Sequence, residues 1–134
     1  MPATISRPRI ALGLLGGAAL IASSAAHSLL GWNGLDSALD AVQAPPALIR
    51  GLSIGWHFAG VAMLAFGLII VRLFVERLRG RVVSLWPVRF IALVYLAFGA
   101  WALAISDLDP FFFLVFVAPG LVLLAAAWGT SRTA

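Results

Sequence analysis

The chain has 134 residues, of which 63% are hydrophobic and 10% are charged, and its mean hydropathy of +1.07 is far above that of soluble domains. Its net charge of +4 comes from nine arginines, without any lysine, against five acids. This composition argues against nucleic-acid binding, because the arginines flank apolar stretches, where anionic phospholipid headgroups are the nearer partner. The absence of cysteine excludes disulfide exchange, thiolate metal ligands and a cysteine nucleophile.

Four apolar stretches are long enough to cross the hydrocarbon core of a bilayer, which takes about 20 residues of helix. Lipid offers no hydrogen bonds to backbone groups, so these stretches are predicted to be helical. Since few residues are left for a soluble domain, we predict one all-α membrane domain over residues 1–134, an antiparallel four-helix bundle. The predicted spans are residues 10–30 (TM1), 47–74 (TM2), 88–106 (TM3) and 110–128 (TM4).

A short amphipathic helix is predicted in the first outer loop, from Gly34 to about Gln43. Asn33 would cap its N-terminus, and Pro45 and Pro46 would end it. Its apolar side chains share one face and its two aspartates share another, a pattern that suits a helix lying flat on the membrane surface.

TM3 and TM4 are joined by a short turn, and Pro110 suits the first turn of TM4. Pro119 lies in the middle of TM4 and has no backbone N–H to donate. It would leave the Val115 carbonyl without its helical partner, so a kink is predicted there.

The arginines are sorted across the predicted spans. Cytoplasmic loops of membrane proteins retain positive residues, and only Arg50 lies on the side opposite to the other eight arginines. We therefore predict a multi-pass protein of the bacterial inner membrane, with both termini in the cytoplasm and anionic phospholipids at its inner face. The inner arginines are Arg7, Arg9, Arg72, Arg77, Arg79, Arg81, Arg89 and Arg132, and the outer acids are Asp36, Asp40, Asp107 and Asp109.

The first 26 residues also have the layout of a cleavable signal peptide. Two arginines precede an apolar run from Ile10 to Ala22, and small residues lead to a cleavage point after Ala26. Cleavage there would leave three spans. The apolar stretch continues through Leu29 and Leu30, which favours a retained first span.

Polar side chains near the outer ends of the spans predict a shared cluster, because such residues usually face the interior of a bundle. They could hydrogen-bond to one another and to carbonyls, with Arg50 pairing with a carboxylate, and lock the bundle. They could instead line a pocket for a substrate, a lipid headgroup or a quinone ring. The cluster comprises Ser24, His27, Arg50, Ser53, His57, Asp107 and Asp109.

A metal or haem site with His27 and His57 as ligands is the third interpretation of the cluster, since imidazole suits iron, copper and zinc. The chain has no further histidine, no cysteine and no HExxH motif to complete a ligand set. No catalytic residue, metal or cofactor is therefore predicted, and haem or a metal is kept as an alternative.

Several features lie along most of the chain: the small-residue TM1, Leu48-Ile49-Arg50-Gly51, Gly60, Gly67, Arg89 and the turn Ser106-Asp107-Leu108-Asp109-Pro110. With these features the chain resembles, over about residues 10–128, the small bacterial four-helix membrane proteins grouped as DoxX-like. The resemblance implies a compact four-helix membrane bundle, and relatives in that group have been linked to thiosulfate–quinone chemistry. TM4 carries Pro119 and no acidic residue, which departs from a charged site shared with that group.

Taken together, these patterns favour a non-enzymatic accessory or interaction component. It would present the outer-loop helix or the arginine-rich inner loop to a membrane-protein partner or to a second copy. The alternative is a quinone- or haem-binding subunit that uses His27 and His57. A transporter subunit is a further alternative, although four short spans leave little room for alternating access unless the chain oligomerises.

Overall fold

The computed structural model describes residues 6–128, and this part of the chain is all-helical without strands. It contains four helices that are long and apolar enough to cross a membrane, as the sequence predicted. Arg132, counted among the inner arginines, lies outside the described residues, as do the first five residues of the signal-peptide alternative. The helices are α1, Arg7–Ala41; α2, Pro46–Leu78; α3, Trp86–Ile105; and α4, Pro110–Ala127.

The first helix is longer than predicted, because the outer-loop helix continues it. The segment Trp32–Ala41 is helical, but the chain reaches it through one π turn, His27–Gly31, without leaving the right-handed helical region. Asn33 therefore lies inside α1 and the predicted Asn33 cap is wrong, because no helix begins at that residue. The predicted loop helix is an extension of α1 and has no separate start.

The turn after α1 is fixed by backbone hydrogen bonds. Gln43 adopts a left-handed conformation with φ of 52°, and its N–H donates to the Asp40 carbonyl at 2.9 Å. The N–H of Ala44 donates to the Leu39 carbonyl at 3.0 Å. This pair of bonds is the Schellman motif that commonly ends helices, and Gly80, with φ of 78°, provides the same ending after α2.

The described residues form two compact units, and the first comprises residues 6–17 and 69–128. Glycines set its helix contacts, since they let membrane helices approach closely. A Cβ added at Gly13 would overlap the fully buried Phe74 ring of α2, and one at Gly16 would lie 2.8 Å from Leu123 of α4. Gly99 of α3 packs in the same way against α4. Parts of all four helices therefore contact one another within this unit.

A second π turn, Phe113–Val117, immediately precedes the predicted kink position in α4. The N–H of Ala118 bonds to the carbonyl of Phe113, five residues earlier. Such turns accommodate one extra residue without ending a helix. This is how α4 continues past Pro119, which has no N–H for the ladder, as far as Ala127.

The second unit, Ala18–Leu68, is a helical hairpin made of the later part of α1 and the first part of α2. The two helices cross at Gly60, where an added Cβ would overlap the Ser28 hydroxyl and lie 3.5 Å from the Ser24 carbonyl. Ser24 and Gly60 are both buried at this crossing. The predicted small-residue contact between these two helices is present here.

Candidate functional site

A pair of reciprocal hydrogen bonds joins the two helices of the hairpin. The Nε2 of His27 donates to the backbone carbonyl of Trp56 at 3.1 Å, and the Nε1 of Trp56 donates to the carbonyl of His27 at 2.7 Å. The two rings stack with centroids 4.3 Å apart and planes 6° apart. We name this arrangement the His27–Trp56 clasp. Each side chain binds the backbone of the opposite helix, so the clasp fixes the register between α1 and α2.

Two local features of α1 make room for the clasp. His27 begins the π turn, where the regular ladder of hydrogen bonds is interrupted and carbonyls are displaced. Gly31 closes that turn, and a Cβ at this position would lie 2.9 Å from Cζ2 of Trp56. The glycine is therefore required for the indole to lie flat against α1 and reach the His27 carbonyl.

Two further rings extend the clasp into an aromatic cluster, which we define as His27, Trp32, Trp56 and His57. The Trp32 ring lies 6.5 Å from that of Trp56 and 5.5 Å from that of His57, both tilted. His57 is exposed, and its Nδ1 donates to the Ser53 carbonyl at 2.8 Å, one turn earlier in α2. The two predicted histidines thus belong to one cluster, connected through two tryptophans.

For the neutral forms of the two imidazoles, these hydrogen bonds assign opposite tautomers. A carbonyl oxygen can only accept a hydrogen bond, so the nitrogen that faces it carries the proton. The proton is therefore on Nε2 of His27 and on Nδ1 of His57. The remaining nitrogens, Nδ1 of His27 and Nε2 of His57, form no hydrogen bond with the described residues.

Nitrogen-15 NMR of histidine-labelled protein at a pH where both rings are neutral is expected to show one ring of each tautomer. The His27→Gln variant should remove the Nε2–H signal and His57→Gln the Nδ1–H signal, which assigns each resonance. If both rings gave the same tautomer, one of the two backbone hydrogen bonds would not exist.

The other predicted site residues are only partly gathered around these rings. Ser53 contributes its carbonyl to His57, and the Ser24 hydroxyl donates to the Ile21 carbonyl of its own helix at 2.9 Å. Arg50 is exposed on α2 and forms no ion pair within the hairpin. Arg50 and His57 are both exposed on α2, and the His57 ring lies beside Trp32 of α1.

Asp107 and Asp109 belong to the other compact unit, so their predicted contact with the imidazoles stays a prediction. The carboxylate of Asp109 accepts the N–H of Phe111 at 2.9 Å and caps the start of α4. Asp107 ends α3 with a left-handed φ of 51°. Both acids thus have local roles at the turn between α3 and α4.

Trp32 and Trp56 are the members of the cluster that were not predicted as site residues from the sequence. The signal for Trp56 was its position four residues before Gly60, the spacing that places both on one face of a helix. Within residues 6–128, no group of three or more histidine, aspartate or glutamate side chains is arranged to hold a metal ion. A haem or metal bound through His27 and His57 stays a prediction.

No family model, curated protein or solved structure matches this chain. The resemblance to DoxX-like proteins therefore stays a prediction from the sequence. Any functional conclusion depends on the geometry of the hairpin and on the distribution of charge and apolar surface.

Proposed function

We propose that this protein is a four-helix antiparallel bundle in the bacterial inner membrane, with both termini in the cytoplasm. Four apolar helices support membrane residence. The 20 residues of α3 and the 18 of α4 span about 30 Å and 27 Å, close to the thickness of the hydrocarbon core. Eight arginines lie on one predicted side of the membrane and only Arg50 on the other, which supports the orientation.

In this orientation the aromatic cluster lies at the outer interface. His27 follows Arg7 by 20 residues and His57 precedes Arg77 by 20 residues, so each imidazole is about 30 Å along its helix from an inner arginine. Tryptophan and histidine rings with a polar atom are well suited to this depth. Beyond it, α1 continues for 14 residues to Ala41, about 21 Å of additional helix.

We infer that the protein acts as a non-enzymatic accessory component, whose outer hairpin supplies a contact surface for a partner membrane protein. The observation that carries this proposal is the His27–Trp56 clasp. The imidazole and indole donors of the clasp are used on backbone carbonyls of the hairpin itself. These hydrogen bonds hold the two helices of the hairpin rigidly together. They leave no nucleophile–base or acid–base pair assembled at the aromatic cluster.

The partner is proposed to be an apolar helix that lies along the exposed face of α2. This face presents large side chains, with Ile54 74% and Phe58 73% exposed. On the same face, a Cβ added at Gly51 or Gly55 would have nothing within 4 Å. Two glycines four residues apart on an exposed face allow close approach of a second membrane helix.

A photo-crosslinking amino acid at position 54 tests this proposal in intact membranes. We expect an adduct of discrete mass that is identified as one membrane protein and is recovered reciprocally when that protein is purified. The matched control is position 15, because Leu15 is 68% exposed on α1 and should yield lipid adducts. Identical adducts from both positions would contradict the proposal.

A bulky residue on the same face provides a second readout. Gly51→Leu should abolish the adduct from position 54, whereas Gly34→Leu should not. A Cβ added at position 34 would also have nothing within 4 Å, so the two substitutions are matched. Two differently tagged copies of this chain distinguish self-association from binding of another protein. An adduct that survives Gly51→Leu would place the contact elsewhere and contradict the proposed face.

A small-molecule or redox-cofactor subunit is the second candidate, favoured by one observation. The exposed His57 ring has Nε2 available and Trp32 beside it, which would suit a haem iron or a hydroxyl donor such as a quinol. A Soret band in the purified protein that is lost in His57→Ala would support this candidate. Colourless protein that binds no quinone would remove it. No separate observation favours a transporter subunit.

A further inference from the structure

Two arginines converge on the carboxyl end of α4. The Nη1 of Arg9 donates to the Trp128 carbonyl at 2.7 Å, and the Nε of Arg89 donates to the Ala127 carbonyl at 3.2 Å. The last carbonyls of a helix carry partial negative charge, which favours cations at this end. The two carbonyls belong to consecutive residues, so both guanidinium groups bind at the same end of α4.

The positive charge of Arg9 is not paired with a carboxylate among residues 6–128. The ion pairs of Glu76 are made with Arg79 and Arg81, and Arg9 forms no ion pair within residues 6–128. A guanidinium has five N–H donors, and Arg9 uses one of them on the Trp128 carbonyl. Planar donors of this kind match the oxygens of a phosphate group.

A shallow apolar cleft, largely open to its surroundings, begins at the same residue. It has a volume of about 270 Å³ and is lined by Leu121, Leu124, Ala125 and Trp128. These residues follow one face of α4 over seven positions, about 10 Å along the helix. Trp128 is 62% exposed, and its backbone carbonyl holds Arg9, so the cleft and the cationic group share one residue.

We propose that this end of α4 binds one anionic phospholipid, with its phosphate at Arg9 and Arg89 and an acyl chain in the cleft. The charge complementarity selects an anionic headgroup, and the cleft selects a lipid over free phosphate. An acyl chain that follows α4 from Trp128 towards Leu121 would run in the direction of the membrane normal. This inference depends on membrane residence and is independent of the partner proposed for α2.

Native mass spectrometry of the purified full chain tests this site with phosphatidylglycerol as the probe. We expect one retained phosphatidylglycerol, at least fivefold stronger binding than phosphatidylcholine, and about fivefold weaker binding in Arg9→Gln, since each cation near an anionic lipid contributes about a factor of five. Arg7→Gln removes one positive charge from the start of α1, as Arg9→Gln does, but it removes no bond to α4. It should change phosphatidylglycerol binding by less than twofold. Equal loss in the two variants would show a general charge effect and overturn the site.

Two further variants distinguish the contributions of headgroup binding, acyl-chain binding and the fold to the binding of phosphatidylglycerol. Arg9→Lys keeps the charge and should bind phosphatidylglycerol within about twofold to threefold of the unmodified protein. A loss as large as in Arg9→Gln would overturn the role of charge at this site. Ala125→Phe fills the cleft and should weaken phosphatidylglycerol about fivefold without changing the binding of inorganic phosphate. Unchanged phosphatidylglycerol binding in Ala125→Phe would overturn the role of the cleft.

Discussion

Gly60→Leu is expected to prevent the hairpin Ala18–Leu68 from packing. Even a Cβ at this position would overlap the Ser28 hydroxyl and lie 3.5 Å from the Ser24 carbonyl, so the two helices would have to separate. Overpacking commonly costs about 1–3 kcal/mol, and a whole leucine side chain placed against backbone should exceed that range. We expect a large loss of monodisperse protein on size-exclusion chromatography and a lower unfolding midpoint in detergent.

The matched control for this prediction is Gly55→Leu. Position 55 lies on the same helix, and a Cβ added there would have nothing within 4 Å. Purified Gly55→Leu should unfold within about 1 kcal/mol of the unmodified protein, because leucine is the better helix former. If Gly55→Leu and Gly60→Leu were destabilised equally, the helix crossing at Gly60 would be refuted.

Trp56→Ala is expected to have the second large effect, because Trp56 forms both halves of the clasp. The variant loses the indole hydrogen bond to the His27 carbonyl, the ring stack at 4.3 Å and the contact with Gly31. Truncation of a packed tryptophan typically costs about 3–5 kcal/mol. The free energy of unfolding, measured by titration with a denaturing detergent, should fall by an amount in this range.

Trp101→Ala is the control, since Trp101 is 56% exposed and its ring contact is with Phe98 of the same helix. We expect a cost below about 1 kcal/mol for its truncation. Trp56→Phe keeps a stacking ring and should fall between the two, with a cost of about 1 kcal/mol for the missing hydrogen bond. If Trp56→Ala and Trp101→Ala were equally destabilising, the prediction that the clasp stabilises the hairpin would be wrong.

The four apolar helices could be predicted because span length and composition are direct signals. The extension of α1 could not, since Asn33-Gly34 resembles a helix start when it is considered locally. A π turn gives no sequence periodicity of its own, so the continuity through His27–Gly31 could be found only from backbone geometry. The endings at Gln43 and Gly80 were similarly set by single left-handed residues.

The histidines could be predicted to lie near each other, but their roles could not. The step that faces α1 is the four-residue step from Trp56 to Gly60, whereas His57, which lies three residues before Gly60, is exposed. Both steps are compatible with a helix, and they differ by about 100° in direction. The π turn of α1 begins at His27, whose carbonyl accepts the hydrogen bond from the indole.

The central claim is that the turn between α1 and α2 lies outside the inner membrane and the turn between α2 and α3 lies inside. The chain has no cysteine, so a single introduced cysteine reports its own location. Spheroplasts expressing Ala41→Cys or Val82→Cys would be treated with a membrane-impermeant maleimide before and after lysis. We expect the cysteine at position 41 to be labelled without lysis and the one at position 82 only after it. Labelling of position 82 in intact spheroplasts, or protection of position 41, would contradict the account.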